Sequence, residues 1–412
     1  MFGCGEAASE TRFAFAAEVA RATYTPRADR LRHNESLQRD VLDWLYGLRV
    51  GARGALLAGL GILGVAGPLL ASLGDGGGGS PGRGPRREDR IGRLHALPST
   101  RETVRLGVFD ATLPNVLEIE SGDVVVYPDT WSHFLNRLQP GLTIEELAQL
   151  RRENPGRGPH SIVGPVGVRG AKPGDMLAIE FQRLIPASWG ATFVNPSDLG
   201  TGTLASDFPQ GQVRYLDFDL AHMRAEFAPG INVPLQPFQG TVGVAPPQGG
   251  SVSSVPPGQH AGNIDLRDLT EGAQLFIPVW QPEAKLFTGD SHAAQGHGEV
   301  NNQAIESAMQ EVRLRVSVHE QPGWTWPMAE TDSHWICMGI DLDLNEAFRI
   351  AVRNAIDFLH RRAGLTALDA YSLASIAIDF HVTQFVNQTR GVHAAIPKSL
   401  FSDERRRNLT VV

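Results

Sequence analysis

In EVRLRVSVH, residues 311–319, Val312, Leu314, Val316 and Val318 fall on one side of an extended chain, and Arg313, Arg315 and Ser317 on the other. A period of two is the period of a strand, so this segment belongs in a sheet with one face buried. Similar short runs recur between 97 and about 330: DVVVYPD (123–129), GDMLAIEFQRL (174–184) and QLFIPVW (274–280), separated by Gly and Pro. The 45 glycines, 27 prolines and only 20% charged residues fit a body of strands and turns rather than a bundle. TIEELAQLRREN (143–154) reads as a short helix with Thr143 and Glu146 as a capping box.

Near the C-terminus the period changes. Leu344, Ala347, Phe348, Ala351, Val352, Ala355, Ile356 and Leu359 paint one face of a helix that Asp343 opens, with Glu346 behind it, and Gly364 closes. A second helix is expected over Thr366–Ser375 with Asp369 in its first turn, then a strand over 376–387 with Asp379, His381 and Thr383 on one side. The expected class is α+β, mainly antiparallel β, with a C-terminal helical hairpin.

The first hundred residues read differently. GALLAGLGILGVAGPLLASLG (54–74) carries no charge and is long enough to span a bilayer, yet its six glycines and Pro68 make a poor soluble helix. Arg49 and Arg53 precede it as a basic region, and Ala71 and Ser72 are cleavage candidates, which favours an export signal over an uncleaved anchor or a buried hairpin. SLQRDVLDWL (36–45) is a degenerate twin-arginine pattern with only Arg39 left of the pair, and residues 1–35 make a long leader that fits a start codon placed too early. GDGGGGSPGRGPRREDR (74–90) reads as a linker. The expected division is an N-terminal extension (1–73), a Gly/Arg-rich linker (74–96) and a body (97–412). On this reading the protein is exported to the periplasm or beyond, and touches membrane only through its N-terminal segment; without an export signal it would stay in the cytoplasm. A net charge of −8 offers no field for nucleic acid, and Cys4 and Cys337 alone imply no disulfide framework.

Chemistry has two candidate stretches. In TGDSHAAQGHGEVN (288–301), Asp290 and His292 point to the same side if the chain is still extended, and together offer a carboxylate and an imidazole to a divalent ion such as Zn²⁺. Gly289, Gly296 and Gly298 allow sharp turns, and Glu299 is placed to act as a base toward water. Composition alone leaves a surface turn equally open. The second stretch is PPGQHAGNIDLRDLTEGAQLFIPV (256–279).

PFQGTVGVAP (237–246), HAGNIDLRDL (260–269), GDSHAAQGHGEV (289–300) and AIE (304–306), in this order and spacing, resemble the acetamidase/formamidase family. SGDVVVYPDT and IVGPVGVRGAKPGDMLAIE upstream, and DLNEAFRIAVRNAIDFL, DAYSLASIAIDFHVTQFVN and GVHAAIPKSLF downstream, extend the resemblance over about 105–401. It implies a sandwich- or barrel-like body, a homo-oligomer, and hydrolysis of a small linear amide to carboxylate and ammonia. It also implies a divalent metal, Zn²⁺ first with Ca²⁺ or another ion open. Carried over, the motifs implicate Asp265, Asp290 and His292 as ligands and Glu299 as proton shuttle. His260 or Asn263 would meet the oxyanion, and Gln295 also belongs to the motif. The chain departs from the family at Ala261, where a glycine is usual, at His297, where an acid is usual, and at Asn301 and Asn302. A non-catalytic envelope binding protein of the same fold therefore stands as the alternative. Cys337 in HWICMGID reads as a buried strand residue and SVSS (251–254) as a loop. Asp379 and His381, Trp324 and Trp326, and His393 are weaker candidates for extending a site.

Overall fold

The computed structural model describes residues 92–412. The apolar N-terminal segment, nearly all of the linker and Cys4 lie outside these residues. The expected alternations become strands of a nine-stranded sheet. From edge to edge it runs Leu94–Ala96, Asp123–Pro128, Met309–His319, Met176–Pro186, Gln274–Pro278, Met328–Glu330, His334–Asp341, Thr389–Pro397 and Asp379–Asn387. Long neighbours pair antiparallel, as in Leu314 opposite Val125 and Val316 opposite Ile179.

Its inner face, with Val125, Ile179, Leu275, Leu314 and Met338, packs into one core with Val163, Val166, Val242 and Leu286 of a second, eleven-stranded sheet. The architecture is thus a sandwich of two sheets, each presenting alternate residues to the other. Strand His334–Asp341 shows the rule. Ile336, Met338 and Ile340 enter that core, while Trp335 and Cys337 face outward and meet Phe358 and Leu359 of helix Leu344–Ala363. Cys337 is fully buried there, and burial pushes its thiol up, which removes it as a nucleophile.

Helix Leu344–Ala363 starts at Asp343, whose side chain accepts from Asn345 and Glu346 backbone N–H, and ends at left-handed Gly364. Thr143 and Glu146 form the expected capping box on helix Ile144–Arg152. Three details differ from expectation. Phe348 stays 44% exposed, because the helix lies on the sheet by its small stripe Ala347, Ala351 and Ala355, so the seam is narrow and Phe348 sits on its flank against Phe380. Helix Ala367–Ala377 also runs through Ile376 and Ala377, and the following strand begins at Asp379. SVSS is not wholly a loop either, since Ser251–Ser253 pairs with Val108–Asp110.

The alanine stripe reaches the sheet at Gly339. A Cβ built there would stand 2.2 Å from Ala347 O and 2.3 Å from Ala351 N, both rigid backbone. Gly339→Ala should therefore cost about 1–3 kcal/mol by overpacking. Gly296→Ala, with open space around it, should stay within about 0.5 kcal/mol of wild type; urea unfolding of the two variants checks both.

Candidate active site

The eleven-stranded sheet brings the separate motifs side by side. Strand Leu286–His292 lies between Phe238–Gly243 on one side and Ser161–Val168 and Glu306–Ser307 on the other, and Phe238–Gly243 also pairs with Ala261–Asn263. Register sets Phe238 opposite His292, Thr241 opposite Asn263, and His292 opposite Glu306. Asp290 breaks the strand's regular backbone with φ +59°, and its carboxylate nevertheless ends 3.3 Å from His292 Nε2.

A cavity of about 30 Å³ opens above these strands. Four carboxylates reach it, from Asp265, Asp290, Glu299 and Glu306, together with the imidazoles of His133, His160 and His292. All seven residues are buried. His133 Nε2 lies 2.7 Å from Asp290 Oδ1 and 3.2 Å from Glu306 Oε2, and His292 Nε2 lies 3.1 Å from Glu306 Oε2. Thr241 Oγ1 is placed between Asn263 Oδ1 at 2.8 Å and Asp290 Oδ2 at 3.1 Å. Asn387 joins the acids, donating to Asp265 Oδ2 and, at 3.4 Å, to Glu299 Oε2. Asn302 in turn donates to Asn387 Oδ1 at 3.1 Å. Phe134, Leu147 and Phe193 form an apolar wall with Arg151, whose side chain has no hydrogen-bond or ion-pair partner among the described residues.

Burial acts on every one of these groups, and their mutual arrangement splits them into two sets. Burial pushes Asp265 well up, helped by the charges of Asp290 and Glu306, and likewise Glu299, helped by Asp265. Burial also pushes Asp290 and Glu306 up, but His292 with His160 or His133 outweighs it and holds both below the usual carboxylate range. His133 and His292 are raised, because Glu306 and Asp290 overcome a burial that would lower them. His160, with its Nδ1 2.7 Å from Ser254 Oγ, is pushed down to about 4 by burial. Burial and neighbouring charge thus split the four acids, raising Asp265 and Glu299 and lowering Asp290 and Glu306, with His160 held low beside them.

Of the residues singled out in the sequence, Asp265, Asp290, His292 and Glu299 converge here. Asn263 also lines the cavity, but its amide is engaged, accepting from Thr241 and donating to Val255 O at 3.1 Å. His260 and Gln295 do not line it. His260 packs edge-on against Phe109 behind Gly262, and Gln295 donates to Asp265 O at 3.1 Å while facing a separate surface groove with Arg267. Trp324 is tied to the C-terminus by donating to Val411 O, and Trp326 packs on the core. His133, His160 and Glu306 were not singled out from the sequence. Glu306 lies within the AIE segment of the resemblance, whereas His133 and His160 stand in DTWSHF and RGPHSIV with no spacing signal.

A divalent cation fits this donor set. One ligand atom each from Asp265, Asp290 and His292 lies within 4.8 Å of the others, and His133, His160 and Asp290 form a second such triple. Asp265 Oδ1 and His292 Nδ1 are buried without hydrogen-bond partners. The room between the first three is room that Gly240 leaves. A Cβ there would stand 2.5 Å from His292 Cε1, 2.7 Å from Asp265 Oδ1 and 2.9 Å from Asp290 Oδ2. Mixed carboxylate and imidazole ligands suit Zn²⁺ or a similar borderline ion.

Gly240→Ala should lose the ion while keeping the fold, measured by metal content and circular dichroism after reloading. A second expectation concerns protons. Asp265, Glu299 and His292 hold theirs to higher pH than free side chains do, and ligands must shed them to bind a cation. Affinity for Zn²⁺ should then keep rising with pH above about 5, where ordinary carboxylates are already ionised. Calorimetry in buffers of different ionisation heat should show net proton release.

Comparison with known proteins gives the same reading of the chain's ancestry. The profile of the Acetamidase/Formamidase family matches residues 109–250 and 248–403. A formamidase of Methylophilus methylotrophus is 23% identical over 321 residues, covering 60% of this chain and 79% of that protein. A putative formamidase of Schizosaccharomyces pombe is 26% identical over 194 residues, 34% of this chain, and the match spans about half (47%) of that relative's length. Among solved structures, an acetamidase from Bacillus halodurans superposes with a TM-score of 0.67 at 28% identity, covering 74% of this chain and 98% of its own. One from Yersinia enterocolitica gives 0.69 at 26% identity, covering 76% and 95%. With both motif regions and both sheets accounted for, the chain belongs to the acetamidase/formamidase family.

Proposed function

We propose that this protein is a metal-dependent hydrolase that splits a small linear carboxamide into a carboxylate and ammonia. The observation that carries this reading is the convergence of Asp265, Asp290 and His292 with Glu299 in one cavity. Relatives described as acetamidase and formamidase support the substrate class.

An amide resists water because resonance stabilises its carbonyl and its nitrogen leaves badly. Held by Asp265, Asp290 and His292, a divalent ion would polarise the carbonyl and acidify water. The remaining work falls to the chain itself. Burial and the neighbouring Asp265 charge raise the proton affinity of Glu299, so its carboxylate can take a proton from water and hand it to the leaving nitrogen, while Asn387 holds the side chain in place. Balance is then simple: water supplies hydroxyl to carbon and a proton to nitrogen, and Glu299 ends as it began. His133 and Glu306 fix Asp290 and His292 in place from behind, through the 2.7 Å and 3.1 Å contacts. Arg151, unpaired on the wall, is the cation placed to steady a developing oxyanion or the product carboxylate. Phe134, Leu147 and Phe193 keep bulk water out and leave space for a short acyl group.

Ammonia release from a panel of short amides tests the proposal. Glu299→Gln should lower kcat by roughly 10²–10⁴ with metal content unchanged, while Cys337→Ala should leave kcat within a few-fold. Turnover by Glu299→Gln at the wild-type rate would remove the shuttle. Full metal loading with no amide turned over would favour a binding protein instead.

A further inference from the structure

Three histidines left unused by the catalytic reading meet on the far side of the glycine-rich loop. His381 and His393 are directly opposed across the pair of strands Asp379–Asn387 and Thr389–Pro397. His297 lies against both, its ring 4.9 Å from that of His381 and 5.0 Å from that of His393, and His381 and His393 are 5.2 Å apart. Asp268 completes the group, with Oδ2 3.9 Å from His297 Nε2. The loop is held here by its backbone as well, Gly298 N–H donating to Thr383 O and Phe385 N–H to Gly298 O, both at 3.0 Å.

We propose that Asp268, His297 and His393, with His381 as a fourth donor, form a second site for a borderline divalent metal ion of the Zn²⁺ class, separate from the catalytic cavity. One ligand atom from each of the first three already lies within 4.8 Å of the others. A tetrahedral ion with bonds of about 2.0 Å would draw such atoms to roughly 3.3 Å apart, a movement that side-chain torsions can supply. Two atoms of the group, His297 Nδ1 and Asp268 Oδ2, are buried with no hydrogen-bond partner. His393 shows the support that metal-bound imidazoles carry. Its Nδ1 is 2.7 Å from Thr383 Oγ1, which fixes the ring and leaves Nε2 for the ion. Three imidazoles, His297 stacked on His381 and tilted against His393, thus meet around a single acid. Arg267 opposes them as a nearby cation, and its guanidinium is turned to Gln295 O at 3.4 Å. His297 and Asp268 are both partly exposed, so an ion can reach the group from solvent. Bound there, it would pin the segment that carries Glu299 to the last two strands of the nine-stranded sheet.

Full-length protein stripped with chelator and titrated with Co²⁺ tests this by visible absorption and metal content. His297→Asn and His381→Asn should each bind one ion fewer per chain than wild type, with the loss of a tetrahedral Co²⁺ spectrum. Thr383→Val should weaken that ion about 10–100-fold. Asp290→Ala should keep it, so failure of the catalytic-metal reading is read separately, as equal Co²⁺ content in Asp290→Ala and wild type. Thermal unfolding with and without Zn²⁺ guards against misfolded variants, since a folded His297→Asn should lose the part of the Zn²⁺-induced rise in Tm that Asp290→Ala keeps. Equal Co²⁺ content in wild type, His297→Asn and His381→Asn would overturn the proposal.

Discussion

Four carboxylates share a cavity of about 30 Å³ with almost no access to water, and much of the architecture around them serves to make that tolerable. An isolated ion in such a place would cost several kcal/mol after relaxation. The cost is met here in two ways. His133 and His292 take up the charge of Asp290 and Glu306, while burial raises Asp265 and Glu299 toward their neutral forms and Asn387 donates to both. Each way demands a partner from a distant part of the chain. His133 lies 157 residues from Asp290, and Asn387 lies 122 from Asp265. The sandwich is the frame that brings those distances to contact.

That dependence explains why the fold was more legible in the sequence than the site. Alternation over 311–319 and the capped helix over 344–363 are local properties, set by side-chain period and by Asp343 and Gly364, and the structure follows them. Where local reading slipped, longer-range packing decided. Phe348 has the right spacing for burial, but the alanine stripe and Gly339 let the helix backbone come so close that the seam ends before it.

Within the site, Asp265, Asp290, His292 and Glu299 were legible because two motifs in fixed order carry them. His133 and His160 were not, because their role comes from how the chain approaches the cavity. His133 opens a turn in which Phe134, Leu135 and Asn136 are all left-handed, a conformation no periodicity announces for such residues. Side-chain direction was equally hidden. Gln295 and His260 sit inside the motifs and yet turn to a surface groove and to Phe109, since neighbouring residues on a bent loop face different ways.

Asp265, Asp290 and Glu299 share one further trait, a left-handed backbone, with φ of +50°, +59° and +47°. For a residue with a Cβ this conformation costs roughly 1–2 kcal/mol, except that Asn and Asp tolerate it far better than most. Glycine alone would relieve it fully, and glycine brings no carboxylate. The replacements that such backbones accept most readily at the two aspartates are therefore asparagines, which keep the shape and discard the charge. A lineage of this fold can shed its chemistry in one step while its framework stays standing, and a folded relative is on its own no guarantee of a working catalyst.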